Sequence, residues 1–242
     1  MLGQAMGGAG LFGLVSGAAL FMYRGFTYRG VGDCIEVFRR GVKIQSVAST
    51  SPAFLCVDER RERLFAVNEI EEYEGLPTGT VESYAIARKS GLLALISRQA
   101  LSLSAVRPRH LAISPDGRFM VVAVYGGGAY NVLPIDGGGR IGRVKQVIKE
   151  IGHGADANIQ ATAHPHSVVF DDSGKFVVGT DFGCDRINVF AFEDERLGRI
   201  ERIATPAGSG PSEVWLAESG LEMVVAHRLG GFRARYRVTC RA

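Results

Sequence analysis

One pattern is written four times in this chain, and it limits the folds available more than any single motif does. Residues 109–124 read RHLAISPDGRFMVVAV and residues 164–181 read HPHSVVFDDSGKFVVGTD. Looser copies, SPAFLCVDERRERLFAVNE and GPSEVWLAESGLEMVVAHR, fill 51–69 and 210–228. Each copy has a short apolar run, a polar turn and a second apolar run. Aligned on Pro52, Pro108, Pro165 and Pro211, the copies recur roughly every fifty residues, the period of a β-propeller blade of four short strands.

The second copy shows how a unit is built. HLAIS reads as a first strand, PDGR as a hairpin turn, and FMVVAVY as a second strand covered on both faces, which explains its continuous apolar character. Gly126, Gly127 and Gly128 break the chain, AYNVLPID makes a third strand, GGGRIG turns, and RVKQVIKEI supplies the outer fourth. Asp116-Gly117 and Ser173-Gly174 provide the positive φ that tight hairpins need. No segment keeps a capped helical period. The fold class expected is therefore all-β, a propeller of four-stranded antiparallel blades. Blades start near residues 51, 107, 164 and 209, and the last has about three strands. The segment LFMYRGFTYRGVGDCIEVFRRGVKIQSVAS is expected to hold only the last strands of a first blade. Together these make residues 18–242 a partial propeller.

Residues 1–17 are apolar, rich in Gly and Ala, and carry no Lys or Arg. They read as a disordered leader. A secretory signal wants a positive start, so a cytoplasmic location is expected, with a signal peptide as the alternative. The 28 basic and 25 acidic side chains leave a net charge of +3, too small a bias to argue for nucleic acid. Cys34, Cys56, Cys184 and Cys240 form no CxxC pair, so neither a disulfide framework nor a zinc site is expected.

The four copies, the Gly triplet followed by VLPIDG, the H-x-H-S-V before residue 169 and the PAGSGPSEV turn resemble the seven-bladed propeller lactonases. That family includes 6-phosphogluconolactonases and muconate-lactonising enzymes. The similar stretches run from about Leu20 to Val214 in the family's order. The resemblance implies hydrolysis of a sugar lactone such as 6-phosphogluconolactone, in carbohydrate metabolism and the pentose phosphate pathway, by about four to five of seven blades. Two departures bear on activity. Ser212-Glu213 stands where the family usually has Arg-His, and His227-Arg228 stands where it usually has Asn-Glu. A non-catalytic fragment serving as a binding scaffold is the alternative that these departures raise.

Innermost strands of a propeller line a channel, and ligands sit at its mouth. Residues at the start of first strands and the end of second strands reach it. His166 is the first candidate for general base or substrate orienter, because imidazole titrates near neutral pH. His110 is read as its counterpart one blade earlier, and Glu69 as a carboxylate that polarises water. Arg109, His164, Asp181 and Arg186 are candidates for holding substrate, the arginines through a phosphate or carboxylate. Each has a structural alternative: histidines that lock neighbouring blades together, a solvated turn acid, and inter-blade ion pairs. His153, His164 and His166 have no acidic or sulfur partner at close spacing, so no metal is expected. No cofactor is expected either. YGGGAYNVLP opens no helix and is read as a turn, and RLGGFRARYRV as a basic terminal strand. The partner expected is a small sugar lactone, with neither nucleic acid nor membrane, and with self-association through open blade edges.

Overall fold

Alternating and continuous apolar runs of four to nine residues, separated by glycine-bearing turns, fold into nineteen strands in the computed structural model, which describes residues 19–217 and 222–237. The leader at 1–17 and Cys240 lie outside those residues.

The strands form five antiparallel sheets in chain order. The first comprises β1 (Ala19–Tyr23), β2 (Phe26–Val31), β3 (Cys34–Arg39) and β4 (Val42–Ala48). The second comprises β5 (Pro52–Asp58), β6 (Arg63–Asn68), β7 (Thr80–Ile86) and β8 (Leu93–Ala100). The third is β9 (Pro108–Ile113), β10 (Phe119–Val124), β11 (Ala129–Pro134) and β12 (Gln146–Lys149). The fourth is β13 (Pro165–Phe170), β14 (Phe176–Asp181), β15 (Arg186–Glu193) and β16 (Arg196–Ala204). The fifth has three described strands, β17 (Pro211–Leu216), β18 (Glu222–His227) and β19 (Phe232–Arg237). The one helical element among the described residues is a 3₁₀ turn at Phe182–Cys184. The first sheet corrects one expectation. Its segment holds all four strands of a blade, because Arg24-Gly25, both at positive φ, turn the chain within what had read as one run.

These are propeller blades. Each innermost strand packs on the next, β1 on β5, β5 on β9, β9 on β13 and β13 on β17. Among the described residues no comparable packing joins β1 to β17. The apolar core is accordingly not one mass but four slabs, one between each pair of neighbouring blades. Every residue of β10 is buried because both of its faces meet another blade.

Polar stitches fix the spacing between slabs. The Tyr28 hydroxyl donates to the Gly91 carbonyl at 3.0 Å and the Tyr130 hydroxyl to the Thr180 carbonyl at 3.2 Å, each crossing to the following blade. The second contact requires a glycine: a Cβ on Gly179 would lie 2.5 Å from the Tyr130 hydroxyl. Two buried carboxylates bind the third-strand layer. Glu82 takes hydrogen bonds from Ser49, Tyr84 (2.7 Å) and Arg98 (2.6 Å). Glu150 receives Arg186 at 2.9 Å and also Arg199. Buried charges persist only when paired in this way. Cys34, Cys56 and Cys184 are free. No helix among the described residues is long and apolar enough to cross a membrane.

Candidate active site

The first strands of blades two to five share a defect that creates the site. Pro165 pairs with Asp181 and Ser167 with Thr180, so His166 has no partner across the strands. Pro108 pairs with Val124 and His110 with Ala123, which leaves Arg109 as the extra residue. Ala53 is skipped in the same way between Pro52 and Phe54, and the register shifts again between Pro211 and Val214. A bulge of this kind turns its side chain out of the sheet plane. The register also corrects an equivalence. The counterpart of His166 one blade earlier is Arg109, while His110 corresponds to Ser167.

The bulged residues open onto a recess of about 1200 Å³ along the inner strands, lined by Arg109, His110, His166, Glu213 and Trp215 among others. His166 is buried, at 5% exposure, and neither ring nitrogen makes a hydrogen bond. Burial, then the charges of Arg109 and Arg228, push its pKa down to about 3, and the adjacent Ser212 backbone opposes this only in part. The ring is therefore neutral at physiological pH. His110 is packed among protein atoms but keeps some surface on the recess. Its ring lies 3.8 Å from that of Phe54. Burial and the neighbouring His166 push it, too, down to about 3.

Arg109 is held at the mouth by Glu69, whose two carboxylate oxygens accept from Nη1 at 2.8 and 3.0 Å. The Arg109 guanidinium also lies 6.0 Å from the Tyr125 ring centroid. The same tyrosine gathers His164 and His166. His164 stacks on it at 4.4 Å and 10°, and His166 meets it edge-on at 6.0 Å. His164 Nδ1 bonds the Tyr125 carbonyl at 2.9 Å. The structure thus brings together Glu69, Arg109, His164 and His166, with His110 behind them.

Asp181 and Arg186 are placed elsewhere. Asp181 has no exposure, caps the 3₁₀ turn through Cys184 N, accepts from His164 N at 2.8 Å, and pairs with Arg186 at 3.1 Å. Arg186 spans Asp181 and Glu150. Together they tie two blades to each other. A substrate contact from them would require breaking a buried ion pair. The Gly triplet packs closely on the preceding loop, where a Cβ on Gly127 would fall 2.3 Å from the Ser104 carbonyl oxygen. Among the described residues no three His, Cys, Asp or Glu side chains gather as a metal site.

Two residues were not anticipated as site residues: Tyr125, whose ring meets His164 and His166, and Arg228, whose charge acts on His166. The register could have found them. The partners of the four prolines are Asn68, Val124, Asp181 and His227, and one residue further on stand Glu69, Tyr125, Phe182 and Arg228.

A propeller with a neutral histidine, a cation and a carboxylate gathered beside its inner strands defines a class of proteins equipped to move a proton and to hold negative charge. Comparison with known proteins narrows this class: residues 41–220 match the family described as lactonase, seven-bladed β-propeller, and the chain belongs to that family. It is 23% identical to the 6-phosphogluconolactonase of Bacillus subtilis over 68% of this chain and 45% of that protein. It is 26% identical to a Bacteroides uniformis protein of solved structure, with a TM-score of 0.75 over 90% of this chain and 61% of the other. Against the Pseudomonas aeruginosa periplasmic gluconolactonase the identity is 28% and the TM-score 0.68, over 84% and 57%. The chain spans about half the length of the curated relatives, as with the 48% covered of a Staphylococcus saprophyticus protein.

Proposed function

We propose that this chain is a cytoplasmic sugar-lactone hydrolase acting on an aldonolactone that carries a negative group, such as 6-phosphogluconolactone. The observation that carries the reading is His166, neutral and with both nitrogens free, on a recess and under the influence of the charges of Arg109 and Arg228. In the proposed reaction water attacks the lactone carbonyl carbon and His166 accepts its proton. The ring C–O bond then breaks, and the proton passes to the departing ring oxygen to give the hydroxy acid. An imidazole pushed down to about 3 is a weak base at rest. A phosphate or carboxylate seated on Arg109 and Arg228 cancels the repulsion that contributes to the depression and raises the basicity of His166 in the complex. The negative group is thus part of the proposed catalysis as well as of binding.

A second reading, a non-catalytic scaffold, draws on the fifth blade. His227 bonds Ser209 at 2.9 Å and Tyr236 at 3.0 Å and stacks on Phe232, so it is fully occupied within its own blade. The two readings separate in a pH-stat assay of 6-phosphogluconolactone and its unphosphorylated counterpart. Hydrolysis above the spontaneous rate, weak in turnover and faster for the phosphorylated lactone, is the expected result. Rates equal to buffer for both lactones would favour the scaffold.

A further inference from the structure

Seven tyrosines occur in the chain, and six have their hydroxyls engaged. Tyr23 bonds Glu59, Tyr28 bonds Gly91, Tyr84 bonds Glu82, Tyr130 bonds Thr180 and Tyr236 bonds His227, while Tyr73 is engaged by Glu74 and Arg98. The hydroxyl of Tyr125 has no hydrogen-bond partner among the described residues, yet its ring is the most tightly framed part of the mouth. His164 stacks on one side, His166 and Phe182 approach at 6.0 Å, and Arg109 lies 6.0 Å from the ring centroid. Its backbone is held as well, because its carbonyl takes the His164 Nδ1 bond. A rigid ring with a free donor beside an unpaired histidine is what a preorganised hydrogen bond to a reacting atom requires.

We infer that Tyr125 is a catalytic residue whose hydroxyl donates a hydrogen bond to the lactone carbonyl oxygen as that oxygen becomes the tetrahedral oxyanion. The inference rests on the lactonase reading and assigns a role that the motif residues leave unfilled: His166 takes the proton of water, Arg109 and Arg228 hold negative charge, and Tyr125 stabilises the charge that develops. No proton leaves the phenol in the step. Burial raises its pKa above the ordinary tyrosine value, against the opposing charges of Arg109, Arg107 and Arg228, so the donor stays protonated at neutral pH. Glu69 also favours the protonated form.

Tyr125→Phe keeps the ring and every stacking contact and removes only the donor. The variant should lose about 100-fold in kcat, with KM within roughly twofold of wild type and Tm unchanged. A second readout uses tyrosine labelled at Cζ with carbon-13 and 6-phosphogluconate, whose carboxylate can occupy the oxyanion position. One signal should shift on titration, and that signal should be missing from the Phe variant. An active wild type with an equally active Phe variant, or a loss of kcat matched by a loss of Tm, overturns the role of Tyr125 alone. A wild type that neither hydrolyses the lactone nor binds the product overturns the lactonase reading and this inference with it.

Discussion

His166→Leu should make the protein more stable while abolishing the proposed activity. The imidazole is 5% exposed and both of its nitrogens are orphaned. Leaving a buried polar group without a partner costs about 1–3 kcal/mol, and the narrow opening to the recess lets water recover only part of that. Leucine has similar bulk and needs no partner. It forfeits the ring contacts with Tyr125 and Phe182 at 6.0 and 6.1 Å, worth about 0.5–1.5 kcal/mol in such pairs, but it makes aliphatic contact with the same rings. The balance favours the variant by about 1–2 kcal/mol, which for a domain of this size is a rise of about 3–6 °C in Tm. Urea midpoints with an unchanged m-value would confirm that the native state, and not the unfolded ensemble, had changed. A drop of about 1 kcal/mol or more would refute the reasoning. It would mean that the ring nitrogens are bonded, through the Ser212 backbone or a bound water, and that His166 locks neighbouring blades together. A gain in stability at the expense of function marks a residue retained for chemistry.

The same histidines set the acid response. His166 and His110 sit near 3 in the native protein and near 6.5 when unfolded. Below about 6.5 the unfolded chain therefore binds protons that the native chain refuses, and stability falls as pH is lowered, levelling off near 3, where the native histidines protonate too. Above 6.5 they contribute nothing. The slope in that window is about 1.4 kcal/mol per pH unit for each fully coupled histidine, less for His110, which is partly open to the recess. Urea midpoints at pH 4.5 and 7.5 should show it, and His166→Leu should flatten the dependence; an unchanged slope would disprove the assignment. Self-association is expected through the blades at the two ends, since Trp215 and Phe232 are each 41% exposed and Met22 is 47% exposed. Light scattering should show mass rising with concentration, and a monomer that persists at high concentration would contradict this.

The blade repeat was legible because every blade must bury the same strand pair and turn at the same place, so Pro108 and Pro165 start strands separated by one repeat. The four-strand first blade was not legible. Its opening turn uses Arg24 at φ 49 followed by Gly25, and arginine gives no turn signal. The hairpin at Asp194 and Glu195 also places both residues at positive φ, with no glycine to mark it. At the site, polarity and position pointed to Glu69, Arg109 and His166, but the fate of a charge depends on its neighbours across the blades. Nothing within Asp181-Phe-Gly-Cys-Asp-Arg186 announces that Glu150, 36 residues away from Arg186, will claim the arginine. Tyr125 was passed over because a tyrosine ending an apolar strand has the composition of core.

The repeat and the chemistry come from one device. Blades two to five each open with a proline, which lacks the N–H that a strand ladder uses, and the residue after it is extruded as a bulge. The extrusion recurs because the blades must bend at the same point. The chemistry comes from what each blade places there: alanine at 53, arginine at 109, histidine at 166 and serine at 212. Those four positions carry one cation and one neutral imidazole, so the site is asymmetric although the scaffold repeats. One residue beyond the prolines' partners, Glu69, Tyr125, Phe182 and Arg228 vary in the same manner, giving an anion, a phenol, an apolar wall and a second cation. A duplicated blade needs no new fold to acquire a new site, because exchanges at these two positions alter the mouth and leave the inter-blade slabs intact. Arg109→Ala should therefore weaken substrate binding with little effect on the slab formed by Phe65, Met120 and Leu133, whereas truncating Met120 should unfold the blade before it alters the mouth.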